Sequence, residues 1–121
     1  MAEASPVWQQ LPMNATTAIL PGRGVAMDKL AGVDMGVYQA NANSIPFGIA
    51  QEWTKNPPGT PYDTGVAAAA GQEIMVYAPG SRAPAALKAN APALSPGILV
   101  GFDNNGELVE VTSGWAVGWL F

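Results

Sequence analysis

Apolar and polar positions alternate along this chain in short bursts, and proline and glycine interrupt the bursts at close intervals. Between Leu30 and Trp53, Val33, Met35 and Val37 alternate along one stretch, and Phe47, Ile49 and Gln51 alternate along the next. Asn41-Ala42-Asn43-Ser44 lies between them and carries turn chemistry, so this region predicts a strand pair. Glu73-Ile74-Met75-Val76-Tyr77 has strand propensity and stops at Ala78-Pro79-Gly80, a turn signal. The clearest element is a hairpin: Ile98 to Phe102 and Glu107 to Val111 flank Asp103-Asn104-Asn105-Gly106, whose Asn-Gly pair suits the positive φ angles of a tight turn. The alternation there is read as placing Glu107 and Glu110 on one strand face. A last strand over Trp115 to Phe121 ends on aromatic side chains, which should be tied into a sheet or an interface.

Other stretches do not read as strands. Residues 1–27 carry Pro6, Pro12 and Pro21 among Val7, Trp8, Leu11, Met13, Ile19 and Leu20. Prolines at that density deny a helix and favour extended backbone, which predicts an N-terminal arm. Such an arm either presents its apolar side chains to a partner or folds back on its own barrel. Residues 56–65 hold three prolines and two glycines, a long loop with Tyr62 at its centre. The alanine run Val66–Ala70 is too short to sustain a helix on propensity alone. Ala83 to Ala89 is the one stretch with helical character, and residues 90–97 return to loop at Pro92 and Pro96. The resulting plan is all-β: an arm over 1–27, then one β domain over 28–121 with long Pro/Gly-rich loops.

An internal echo points to a barrel. Leu30-Ala31-Gly32-Val33-Asp34 resembles Leu99-Val100-Gly101-Phe102-Asp103, and a glycine follows each, Gly36 and Gly106. Twelve residues beyond each comes another, in Phe47-Gly48-Ile49 and Val117-Gly118-Trp119. Strand glycines mark sharp bends or close backbone approaches, which small barrels need at their corners. Two related strand–turn–strand units closing one barrel is the expectation, against chance similarity in a Gly-rich chain.

Composition narrows the function. The 121 residues suffice for one domain with a modest core. Charged residues make up only 12%, half of what soluble domains usually carry, so small and polar uncharged side chains must cover the surface, which suits permanent contact with other protein. Net charge is −4, and Arg23, Lys29, Lys55, Arg82 and Lys88 are scattered, an unfavourable pattern for nucleic acid. The N-terminal residues lack the features of a secretion signal and no run is long enough to span a membrane, so a soluble cytoplasmic product is expected. On that basis the sequon Asn14-Ala15-Thr16 is coincidental.

The chain has neither His nor Cys, which removes the usual neutral-pH proton shuttle, the strongest nucleophile and Cys-ligated metal. No closely spaced carboxylate pair stands in the sequence. Gly22-Arg23-Gly24 lacks the third glycine of a dinucleotide loop, and Asp103 to Glu107 places its glycine too early for an EF-hand. The four tryptophans, Trp8, Trp53, Trp115 and Trp119, fit packing better than base stacking. No catalytic residue, cofactor or metal is expected, so the chain reads as a non-enzyme.

The succession Gly71-Gln72-Glu73-Ile74-Met75-Val76, Leu94 to Val100, Asp103 to Val109 and Trp115-Ala116-Val117-Gly118 resembles the capsid cement, or head-decoration, proteins of tailed phages, over roughly residues 65–121. The resemblance implies a compact β-barrel or β-tulip domain, an extended arm, and a homotrimer seated on the major capsid protein outside an icosahedral shell. It carries over no catalytic residue, and the loop at 56–65 has no place in the family pattern. On this reading Val7, Trp8, Leu11 and Met13 of the arm, with Pro57, Pro58, Pro61 and Tyr62 of the loop, are the contact residues. The alternative is a tail-tip or receptor-binding β module whose tryptophans contact a glycan.

Overall fold

A computed structural model describes residues 10–29, 34–56, 64–78, 83, 85, 96–111 and 115–119. Among these described residues eight strands are present: β1 Gln10–Ala15, β2 Gly24–Met27, β3 Gly36–Gln39, β4 Gly48–Ala50, β5 Glu73–Tyr77, β6 Leu99–Phe102, β7 Leu108–Glu110 and β8 Gly118–Trp119. Among the described residues there is no helix. The protein is therefore all-β, as the alternation predicts.

β1 to β5 close a barrel in the order β1-β3-β2-β4-β5, with β5 returning to β1. Only β1 and β3 run parallel, pairing Asn14 with Gly36 and Ala15 with Val37. The period-2 pattern sends Met13 and Ala15 of β1, Val25, Val37, Ala50, and Ile74 and Val76 of β5 into the interior. A barrel of five short strands is filled by these side chains. Ile19 seals one end. Its N–H donates to the Ala68 carbonyl and its carbonyl accepts from Ala67 N–H, each near 2.9 Å, so the β1–β2 and β4–β5 connections bridge across the mouth.

The predicted arm over 1–27 is thus corrected from Gln10 onward, because β1 and β2 are barrel strands. Pro12 explains why a proline-rich segment enters a ladder. It pairs with Met75, whose N–H bonds to Gln51 Oε1 and whose carbonyl accepts Gln51 N–H. Both Met75 backbone groups point away from β1, so Pro12 removes no ladder bond. Residues 10–27 are thus neither a free arm nor an arm packed on the barrel but two of its strands with their connection.

The C-terminal strands form a second sheet, β7-β6-β8. The predicted hairpin is β6–β7, with Phe102 opposite Leu108 and Val100 opposite Glu110. Its turn differs from the expected one: only Gly106 has positive φ, at 73°, while Gly106 N–H bonds to the Asp103 carbonyl and Asp103 N–H to the Glu107 carbonyl. This is a type I turn followed by a glycine bulge. Asp103 Oδ1 holds it by accepting the N–H groups of Asn105 and Glu107. Glu107 and Glu110 do not share a face, since they stand three positions apart and the period is two; Glu107 sits near Arg23 at 3.9 Å and Glu110 is exposed.

One face of this sheet packs on the outside of the barrel. Val100, Phe102 and Leu108 are buried with Ala26 and Ala40, beside Tyr38, Ile49, Ala85, Ile98 and Val117. The turn adds polar ties: Gly24 N–H to the Gly106 carbonyl at 2.8 Å, Arg23 Nη1 and Gln39 Nε2 to the Asn105 carbonyl at 2.8 and 3.0 Å, and Ala42 N–H to Asn104 Oδ1 at 3.3 Å.

The expected duplication does not describe this architecture. Residues 10–77 complete the barrel alone, and the C-terminal unit builds a separate sheet. The glycines differ as well. A side chain on Gly48 would collide with the Tyr77 carbonyl and meet Val76 at 2.9 Å, whereas Gly118 has open space around it. The segment 30–33 and most of the suggested helix at 83–89 lie outside the described residues; Ala83 and Ala85 are not helical.

Candidate functional site

Of the eight contact residues read from the sequence, the structure describes two. Met13 is 1% exposed at the centre of the barrel core, and Leu11 is half-buried against the same core. Both serve the interior, because β1 alternates inward at 11, 13 and 15. Val7, Trp8, Pro57, Pro58, Pro61 and Tyr62 lie outside the described residues.

Among the described residues, the large apolar side chains that reach solvent are Leu20, Met27, Met35, Ile45, Trp53 and Trp115. Topology places three at one end of the barrel. Met27 ends β2, Met35 immediately precedes β3, and Asp28 N–H donates to the Gly36 carbonyl at 2.9 Å, holding the two strand ends together. Ile45, 63% exposed, leads into β4, which Phe47 N–H ties to the Val25 carbonyl of β2. Leu20 and Trp53 lie at the opposite end, linked through Gly22 N–H and the Gln51 carbonyl at 2.9 Å.

Met35 stands apart because it is the only described non-glycine residue with positive φ, at 54°. Left-handed backbone costs an L-residue about 1–2 kcal/mol. Asn14 holds it there: its N–H donates to the Met35 carbonyl at 3.0 Å and its Nδ2 to the Asp34 carbonyl at 2.7 Å. The result is a thioether side chain displayed to solvent from a pinned turn. Strain combined with exposed apolar surface is what contact sites show. Sequence reading missed Met27 and Met35. The available signal was a large apolar residue beside the charges of Asp28, Lys29 and Asp34, where a solvated loop would carry polar side chains.

The polar interior is fully occupied. Gln51, 4% exposed, accepts from Met75 N–H at 2.9 Å and donates Nε2 to the Trp53 and Ala67 carbonyls. No buried side-chain polar atom among the described residues lacks a partner. Tyr77 OH donates to Glu52 Oε2 at 2.6 Å, and its pKa is raised by burial first, then by this bond and by the Glu52 charge, against a lowering bond from Gln10. Thr16 Oγ1 donates to Asp28 Oδ2 at 2.5 Å. Both hydroxyl–carboxylate pairs join segments of the barrel: the first links β5 to the residues after β4, the second the β1–β2 connection to the end of β2. Among the described residues no group of three or more acidic side chains gathers as a metal site would require. What the described residues display to solvent at this end of the barrel is apolar side chains.

No protein-family model and no curated protein matches the chain.

Proposed function

We propose that this protein is a capsid cement protein, bound as a homotrimer to the outside of an icosahedral phage head and to its major capsid protein across capsomer boundaries. The observation that carries the reading is the exposed apolar end of the barrel formed by Met27, Met35 and Ile45, on a chain with only 12% charged residues. Sparse charge leaves little to repel a close, static contact. A cement protein works by adding buried area where pressure would part the shell, and repetition over a lattice multiplies a modest interface through avidity. The C-terminal motifs that resemble the phage decoration proteins support the same reading.

The test is binding of the purified protein to undecorated phage shells, with the copy number per particle and the mass of the free protein measured alongside. Saturable binding at hundreds of copies is expected, whereas a handful of copies, or none, would overturn the reading. The contribution of Val7 and Trp8 is tested by removing residues 1–9. Truncation must stop there, because Gln10 begins β1 and a deletion reaching Met13 would open the barrel.

A further inference from the structure

We infer that the outer barrel face at β2 and β3 is an acceptor surface for the C-terminal sheet of a second copy of this chain, so that neighbouring copies exchange their β6–β8 units. The barrel is complete without that sheet: it closes on itself and its interior cluster contains no residue beyond Val76. Among the described residues the sheet in turn shares no strand ladder with the barrel. Among the described residues, Asn104, Asn105, Gly106 and Glu107, at the tip of one hairpin, supply the polar ties seen between the two. A unit attached at one tip and one apolar face can leave and re-dock without opening any ladder of the barrel.

Complementarity identifies the occupant. The Phe102 ring fills the space that a side chain on Gly24 would need, and Gly106 fits where a Cβ would press on Gln39 at 3.1 Å, Arg23 at 3.2 Å and the Ala40 carbonyl at 3.3 Å. A foreign strand would lack this pairing of ring, glycine and turn carbonyls. Another copy supplies it whole, and every bond made within one chain is made equally between two, the condition under which exchange is a low-cost route to association. Residues 78–98 separate β5 from β6, a span of up to ~70 Å when extended. With Ala85 seated in the shared cluster, residues 86–97 still span up to ~40 Å. Docking within one chain benefits from an effective concentration of order millimolar. Exchange therefore grows as protein concentration nears that value, or where copies are arrayed side by side. This inference goes beyond the cement reading and does not need it.

The chain has no cysteine, which makes a crosslinking test clean. Ala42 and Asn104 are both exposed and in contact across the junction. Single variants Ala42→Cys and Asn104→Cys, with circular dichroism confirming the fold, are mixed, concentrated to about 1 mM and oxidised. Their mixed disulfide should exceed several-fold that between Asn104→Cys and a remote exposed thiol at Lys55→Cys. The double variant should shift from closure within one chain to linked multimers as concentration rises. Equal yields with the control, or closure only within one chain at every concentration, would overturn the exchange. The measurement uses isolated protein, so its failure is separate from a failure to bind shells.

Discussion

The ring of Phe102 lies against the backbone of Gly24, in the volume that any side chain at position 24 would occupy. This contact seats the C-terminal sheet on the barrel, and it explains a glycine in β2 whose backbone needs no special conformation. Gly24→Ala forces the ring to move and should cost about 1–3 kcal/mol, the range for overpacking. In a Phe102→Leu background the same substitution should cost markedly less, because the shorter side chain leaves room. A double-mutant cycle by urea denaturation reads this coupling. Additive effects would show that the ring and the glycine are independent.

Gln51 makes a second prediction, about the barrel itself. Its amide satisfies one N–H and two carbonyls from three different segments: Met75, Trp53 and Ala67. Gln51→Leu keeps the bulk and strands those groups, so a loss of about 2–3 kcal/mol is expected. Ser44→Ala, which removes only a hydroxyl bonded to Tyr38 and Asn41, should cost about 1 kcal/mol. Thermal denaturation of the two variants ranks them, and a Gln51→Leu protein as stable as the parent would refute the hub.

The strands were legible where alternation met turn chemistry. β5 and the β6–β7 hairpin stand where Glu73–Tyr77, Ile98–Phe102 and Glu107–Val111 predict them, because each is a short apolar run bounded by its own breakers. β1 was not legible, because Pro12 reads as a strand breaker until the register shows that Met75 spends its backbone groups on Gln51. The same blindness moved Met13 from the core to a supposed contact: inward direction depends on strand pairing, which local sequence does not carry. The exposed end formed by Met27, Met35 and Ile45 escaped for a related reason. Only the pairing of β3 and β4 on either side of β2 brings those three positions to one rim.

Tyr77 predicts a dependence on alkaline pH. Its pKa lies above the ordinary 10.0, chiefly because burial penalises the phenolate and next because the neutral hydroxyl donates to Glu52. The folded state therefore binds this proton more tightly than the unfolded state. The stabilisation is complete below pH 10, near the unfolded value, and is lost as pH rises through the higher folded value. Tyr77→Phe should lower stability by about 1 kcal/mol at neutral pH and remove this part of the alkaline decline. Urea midpoints measured from about pH 8 upward, compared between parent and variant, check the sign. Parallel curves would show that Tyr77 does not titrate differently on folding.

Met35 separates stability from contact. Its left-handed backbone, φ 54°, costs the folded protein about 1–2 kcal/mol that glycine would not incur. Glycine also makes the unfolded chain freer, which offsets about 0.5–1 kcal/mol of that gain. Met35→Gly should therefore leave stability unchanged or raise it by up to about 1.5 kcal/mol, while deleting an exposed apolar side chain. Ile45→Ser, at a position 63% exposed, should likewise change stability by no more than about 0.5 kcal/mol. If this end of the barrel meets the shell, the combined variant folds normally and loses particle occupancy, most visibly when shells are limiting. Occupancy equal to the parent's would move the contact away from Met27, Met35 and Ile45. The preserved fold makes that outcome as informative as the loss.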